Sequence, residues 1–258
     1  MSGTKIIAIV AGAILAIFLL LNFVFTETLD YYEAVWDNTV PSYVSFRDRY
    51  PNGKYIKETN ERKSLLEEDY FAQKRKKDDL RAYEEFLHAF PADKYTAEAT
   101  RLRDSLLQIQ SDIEKYGNNT LPNGELPYQA FFGDNAKSTK KFNTDVVVVA
   151  PVAFDMIAMI KENDENGKVV AHAYVAADST YTFNLDNGKY QMFFYIGNGW
   201  NPNKKMEDGV LGGFVRNETY SKDDPVSLAN EVITYRLSMR QRKNSYKSSS
   251  RSEMFHKN

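Results

Sequence analysis

Three histidines, a Ser-x-x-Lys spacing, two glycine-rich stretches and a tryptophan-bearing polar segment are where this 258-residue chain invites chemistry. His88, His172 and His256 stand among unrelated neighbours, and no pair has the spacing of metal ligands. Cysteine is absent, which removes thiolate ligands, disulfides, a cysteine nucleophile and a lipidated cysteine. No metal site is expected. Ser138, Thr139, Lys140 and Lys141 match a serine–lysine nucleophile, but that chemistry needs a helix so that the amine can take the hydroxyl proton. Here the residues sit in a turn-rich stretch, with neither a Ser-Asp-Asn nor a Lys-Thr-Gly companion. Gly197-Asn198-Gly199 and Gly212-Gly213 lack the spacing and following helix of a phosphate loop. No catalytic residue and no cofactor is assigned on these grounds. A hydrolase whose carboxylates come from distant segments stays open as an alternative, because sequence cannot measure their separation.

The segment Gly197–Gly209, GNGWNPNKKMEDG, is the best candidate for recognition. Trp200 lies there among small polar residues, and with Asn201, Asn203, Lys204 and Lys205 it could stack on a sugar or anchor a peptide. The competing expectation is that Trp200 folds back to cover one end of its own domain.

Those residues need elements to hold them. At 43% hydrophobic and 26% charged the composition fits one domain or two small ones, and a net charge of −2 excludes a generally basic nucleic-acid binder. From Ile6 to Phe25 the chain reads IIAIVAGAILAIFLLLNFVF, with no charge and Asn22 as its one polar side chain. As a helix it would span a hydrocarbon core of about 30 Å. Bulky Phe23, Val24 and Phe25 end the run where a signal peptidase would need small residues, so residues 1–27 read as a cytoplasmic stub and uncleaved signal-anchor. Lys5 precedes the run and Glu27, Asp30, Glu33 and Asp37 follow it, which places the body outside the cytoplasm.

Residues 28–116 carry an internal repeat. Tyr43, Phe46, Tyr50, Pro51, Tyr55, Glu58 and Leu66 recur forty residues on as Tyr83, Phe86, Phe90, Pro91, Tyr95, Glu98 and Leu106. The spacing of Tyr83, Phe86, Leu87 and Phe90 makes one helix face, Pro91 stops that helix, and a new one is expected near Asp93. Glu61–Lys77 joins the copies with helix formers, and its run Lys74–Lys77 reads as a solvated face because acidic residues flank it. The phrase Tyr-x-x-Phe, Tyr/Phe-Pro, Tyr, Glu-Ala resembles the tetratricopeptide-like hairpins of bacterial envelope proteins. That resemblance implies that the aromatic and proline positions are structural. With fewer than three repeats the helices need an end cap, either the next domain or a partner protein.

Residues 117–142, rich in Asn, Gly and Pro, read as a linker whose Tyr128, Phe131 and Phe132 pack back onto a neighbour. From 143 to 239 short β-branched and aromatic runs alternate with turn signals and read as a β-sandwich of about seven strands. Within it Tyr181, Phe183 and Leu185 alternate, Asn187-Gly188 supplies a two-residue corner, and Tyr190, Met192 and Phe194 resume, which predicts a hairpin. The phrase from Ser179 to Tyr190 resembles carboxypeptidase-regulatory-like and PEGA-like sandwich domains. AHAYVAADSTYTF, GNGWNPNKK and GGFV resemble a module found beside helical repeats in membrane-anchored proteins of gut Bacteroidota, which implies an envelope origin and brings no catalytic residue. The remainder, 240–258, holds six cationic side chains against Glu253 alone and many serines, and is expected to be a basic disordered tail.

The expected fold is therefore α+β in separate segments: an N-terminal transmembrane helix, an α-helical hairpin repeat, then an all-β sandwich. The expected role is a non-enzymatic envelope adaptor, anchored in the bacterial inner membrane with its body in the periplasm. Its expected partners are the membrane through residues 6–25, a protein through the helical repeat, and a cell-surface glycan if the Trp200 segment binds one. Nucleic acid is not expected.

Overall fold

The structure, a computed structural model, describes residues 25–92, 94–138, 143–237 and 246–256. The fold is α+β, and it divides into two compact units at residues 107 and 108. Among the described residues no helix is long and apolar enough to cross a membrane. The apolar run at 6–25 lies outside them except for Phe25, as does Asp93.

In the first unit, residues 25–37 form helix α1, followed by α2 (Val40–Arg49), α3 (Ile56–Lys77), α4 (Leu80–Ala89) and α5 (Thr96–Tyr116), which runs on past the division. The forty-residue repeat is realised atom by atom. Before α2, Asn38 takes a left-handed φ of 47° and Thr39 accepts a hydrogen bond from the Ser42 amide. Before α4, Asp78 has φ 48° and Asp79 accepts from the Ala82 amide. Asn and Asp tolerate that backbone because their short polar side chains bond locally. Here they also accept a phenol: Tyr43 donates to Asn38 Oδ1 at 2.9 Å and Tyr83 to Asp78 Oδ1 at 2.6 Å. Each short helix ends on the residue before proline, at φ −128°, ψ 64° for Tyr50 and φ −134°, ψ 71° for Phe90.

The repeat reaches further back than the aromatic phrase. Tyr31 stacks on Tyr55 at 4.1 Å and Phe71 on Tyr95 at 4.6 Å, so α1 is the counterpart of the second half of α3. Buried Glu27 and Glu67 also correspond. Each copy has its own small core, Tyr31, Ala34, Tyr43 and Phe46 in one, Phe71, Tyr83, Phe86, Phe90 and Ala99 in the other. Of the basic run, Lys74 departs from the expected solvated face. It is buried, with Nζ 2.6 Å from Glu85 Oε2 and over the Tyr70 ring.

The second unit is built on two sheets. A three-stranded sheet has the order β4 (Thr180–Leu185), β1 (Thr144–Val149), β8 (Val232–Arg236), with β1 and β8 parallel. A larger sheet runs β3 (Val169–Val175), β2 (Asp155–Glu162), β5 (Gly188–Lys205), β6 (Leu211–Lys222), β9 (Lys247–Ser248), and β7 (Val226–Leu228) joins β5. Val146, Val148, Phe183, Leu185 and Tyr235 of the small sheet share one core with Met156, Ala158, Ile160, Met192 and Phe194 of the large one.

The predicted hairpin around Asn187-Gly188 is not there. β4 pairs with β1 and β5 with β2, so the corner carries the chain from one sheet to the other. Asn187 holds the crossing by accepting from the Asn230 amide at 2.9 Å and donating to Asn230 Oδ1 at 2.8 Å. Alternation identifies a strand but not its neighbour.

The other face of the large sheet is covered too. Tyr128, beside helix α6 (Gln129–Phe132), and Met254 and Phe255 of helix α7 (Arg251–Phe255) pack there with Ile157, Met159, Tyr174, Phe193, Tyr195, Trp200 and Phe214. Buried on both faces, β2 lacks the alternation of a half-exposed strand. The expected linker is thus part of this unit's core. The expected disordered tail is corrected as well at 246–256. Ser250 caps α7 by accepting from the Glu253 amide, Glu253 Oε2 accepts from the Ser250 amide, and two fully buried apolar side chains follow. Residues 240–245 lie outside the described ones.

Candidate functional site

The segment singled out for recognition is not a loop. Residues 197–205 belong to β5, where Trp200 pairs with Phe214 and Asn201 with Gly213. Trp200 is 2% exposed, edge-on to Phe214 at 5.4 Å, Tyr128 at 5.8 Å and Tyr174 at 5.9 Å. Gly212, at φ +111°, leaves the space it fills, since a Cβ there would lie 2.6 Å from the indole. The expectation of an exposed stacking platform is therefore corrected: the ring completes a core. Its neighbours are committed as well. Asn201 is buried and donates to Asp112 Oδ2 at 3.2 Å, and Asn203 donates its amide to Asn201 Oδ1 at 2.9 Å. Lys204 Nζ lies 2.5 Å from Glu218 Oε2 and 2.6 Å from the Phe214 carbonyl oxygen. Lys205 is exposed at the end of the strand.

Lys204 leads into the densest polar network of this unit. Glu218 Oε1 accepts from the Tyr195 hydroxyl at 2.5 Å and from that of Tyr220 at 3.2 Å. The two phenol rings stack at 4.6 Å, and Arg251 Nε donates to the Tyr220 hydroxyl at 3.3 Å. Burial first, and the Glu218 charge after it, push the Tyr220 phenol up to about 12, and burial, followed by Tyr220 and Glu218, raises that of Tyr195 too. Both phenols thus stay protonated donors at neutral pH, and Glu218 has its lone pairs filled by protein groups. The arrangement fastens α7 to β5 and β6.

Two buried bases behave similarly. Lys161, with no exposed surface, donates to the backbone carbonyls of Glu253 at 2.7 Å and Glu165 at 3.0 Å, and desolvation lowers its pKa. It too anchors α7. His172 on β3 is 1% exposed, against the Tyr128 and Phe132 rings. Neither ring nitrogen makes a hydrogen bond of ordinary geometry. Burial pulls its pKa from 6.5 down to about 4, offset only in part by the Gly133 backbone.

A histidine held neutral in the fold must be deprotonated for folding, so acid favours the unfolded chain. Stability from this residue is complete above pH 6.5 and falls as pH drops towards 4, by about 3 kcal/mol in all. Urea midpoints of the wild type and His172→Leu between pH 4 and 7 should diverge in that sense. Parallel curves would show that His172 is not held neutral.

Histidines 88 and 256 do not join it. His88 is exposed on α4, and His256 Nδ1 lies 2.9 Å from Asp208 Oδ2. No group of metal-ligating side chains occurs among the described residues. Ser138 donates to Asp186 Oδ1 at 2.7 Å, and residues 139–142 lie outside the described ones.

The repeat positions differ in burial. Tyr43, Phe46, Tyr83, Phe86 and Phe90 are buried, Tyr50, Tyr55 and Tyr95 half-buried, and Pro51 and Pro91 exposed where their helices stop. Between α1 and α2, Asp30, Glu33, Asp37, Ser42, Ser45 and Arg49 line a groove of about 220 Å³. Tyr50 donates to Asp30 at 2.7 Å and Arg49 pairs with it at 2.6 Å; both hold its carboxyl below the usual range, so it stays ionised.

The feature that sequence reasoning passed over lies on α1 itself. Phe25, Leu29, Tyr32 and Trp36 are 66%, 59%, 60% and 89% exposed. Their spacing of four, three and four is legible in the sequence, directly after the apolar run. The helix therefore buries one face and presents a second, apolar one to solvent. No family model matches the chain, and neither curated proteins nor solved structures include a match to it.

Proposed function

We propose that this protein is a non-enzymatic, membrane-anchored scaffold of the bacterial cell envelope, with a tetratricopeptide-like helical unit that meets other protein and a β-sandwich unit beyond it. The observation that carries this reading is the duplicated helical unit. Its two copies keep the same buried positions, Tyr43 and Tyr83, Phe46 and Phe86, and the same capping bonds, while their outward faces differ. A repeat of this kind stacks on neighbours through its faces and ends, and two copies leave those ends uncapped by further repeats. The apolar run from Ile6 supports the anchor and the flanking charges support a periplasmic body.

The polar clusters favour structure over reaction. Glu218, Tyr195, Lys204 and Lys161 each spend their hydrogen bonds on the protein's own groups. Burial of Trp200 takes support away from a glycan-stacking role for that residue.

Carbonate extraction of native membranes should leave the protein in the pellet, and external protease should digest its body in spheroplasts. Cross-linking should then recover protein attached to residues 28–116. Extraction by carbonate would sink the anchor, and protection from protease would move the scaffold to the cytoplasmic side.

A further inference from the structure

At about 100° per residue, Phe25, Leu29, Tyr32 and Trp36 fall within roughly 60° of one another on α1. Buried Glu27, Tyr31 and Ala34 lie on the opposite side, against the helical unit's own core. The internal repeat provides a control for the exposed side. Positions 29, 32 and 36 correspond to Asp69, Ala72 and Lys76 in the second copy, all exposed as well. The same backbone and burial pattern is thus satisfied by an acid, a methyl and a base. Folding of the repeat does not ask for Leu29 or Trp36 there; Tyr32 also lies 5.4 Å from the Tyr31 ring and 6.4 Å from that of Tyr55, and Phe25 corresponds to Leu65, itself 67% exposed.

We infer that this face of α1 is the seam of a parallel homodimer, in which each apolar residue meets its counterpart in a second copy of the chain. Spacings of four, three and four are those of the a and d positions of a two-stranded coiled coil, where such residues pack as knobs into holes. Thr26, Thr28, Glu33 and Val35 flank the seam. The cross-pair made by such a dimer, Thr28 with Glu33, brings no like charges together. In sequence, Asn22, Phe18, Leu15, Ala11 and Ala8 continue the same spacing of three and four.

Parallel orientation rests on the membrane-anchor reading, since two chains entering one face of a membrane run the same way. Confinement also raises their effective concentration, so that a short seam suffices. A lipid surface fits less well. Trp36 lies about 16 Å along the helix axis from Phe25, beyond a headgroup layer of roughly 5–8 Å. Glu33, which borders the stripe, would also be repelled by anionic lipid.

Because the chain has no cysteine, Leu29→Cys, Tyr32→Cys and Trp36→Cys can be oxidised one at a time in the full chain in its membrane. The expected result is a disulfide-linked dimer at each, and none at Glu33→Cys, Asp69→Cys or Lys76→Cys. The exchange Leu29→Asp, Tyr32→Ala, Trp36→Lys, which installs the second copy's residues, should abolish the purified dimer and leave the helical unfolding temperature unchanged. Equal linkage at all six positions, or none at the three seam positions, would overturn the proposal. So would linkage to a species of another mass, or a monomer whose Trp36 emission is quenched by brominated lipid. Seam-specific dimers from a protein that carbonate extracts would leave the seam standing and sink the anchor alone.

Discussion

Trp200→Ala is expected to destabilise the β unit by about 3–5 kcal/mol, the usual cost of emptying a fully buried aromatic site. The indole touches Tyr128, Tyr174 and Phe214 edge-on, and its pocket exists because Gly212 has no side chain, so the surrounding strands have little freedom to collapse into the space. Against a domain stability of about 5–15 kcal/mol this is a large share. Urea denaturation followed by far-UV circular dichroism would measure it, and Trp200→Phe should recover most of the loss. An unchanged midpoint, with polysaccharide binding abolished, would mean that the ring is an accessible platform after all.

Deleting residues 246–258 should have an effect at least as large. The deletion strips Met254 and Phe255 from the second face of the large sheet and leaves the buried Lys161 Nζ without the Glu253 carbonyl. Phe255→Ala alone is expected to cost about 3–5 kcal/mol, and Lys161, left with the Glu165 carbonyl alone, adds the cost of a buried donor that has lost a partner. Together these rival the stability of the unit, so the truncated protein should lose its cooperative thermal transition and bind a hydrophobic dye. Lys247→Ala, which breaks only the exposed pair with Asp224, should cost less than about 1 kcal/mol. A truncated chain that melts like the full one would restore the picture of a disordered tail.

The tail shows how composition misleads when it outvotes pattern. Six cations and five serines argued for disorder, yet Ser250-x-x-Glu253 followed by Met254-Phe255 is a capping box ahead of an apolar pair, and it was legible. The Trp200 segment misled for a different reason. Gly197, Gly199, Asn201 and Pro202 are turn formers, but β5 shifts register against β6 between Ile196 and Asn198 and again between Asn201 and Lys205. Bulges of this kind let glycine and proline sit inside a strand.

By itself the sequence determined what depends on neighbours along the chain. Tyr-x-x-Phe spacing, the pre-proline stops and the forty-residue period led to paired helices with aromatic cores, and β-branched runs led to strands after residue 143. The separate α and β segments followed from these local signals, because helix caps and side-chain periodicity act over a few residues. Only the tertiary structure decided which strands pair, since β4 and β5 look like a hairpin until each finds a better neighbour in a different sheet. It decided too that Trp200 faces Tyr128, more than seventy positions away, because burial is a property of what arrives on the other side. The exposed face of α1 belongs to the same class: its residues were always visible, but that Phe25, Leu29, Tyr32 and Trp36 stay mostly exposed emerged only when Glu27, Tyr31 and Ala34 had claimed the opposite side.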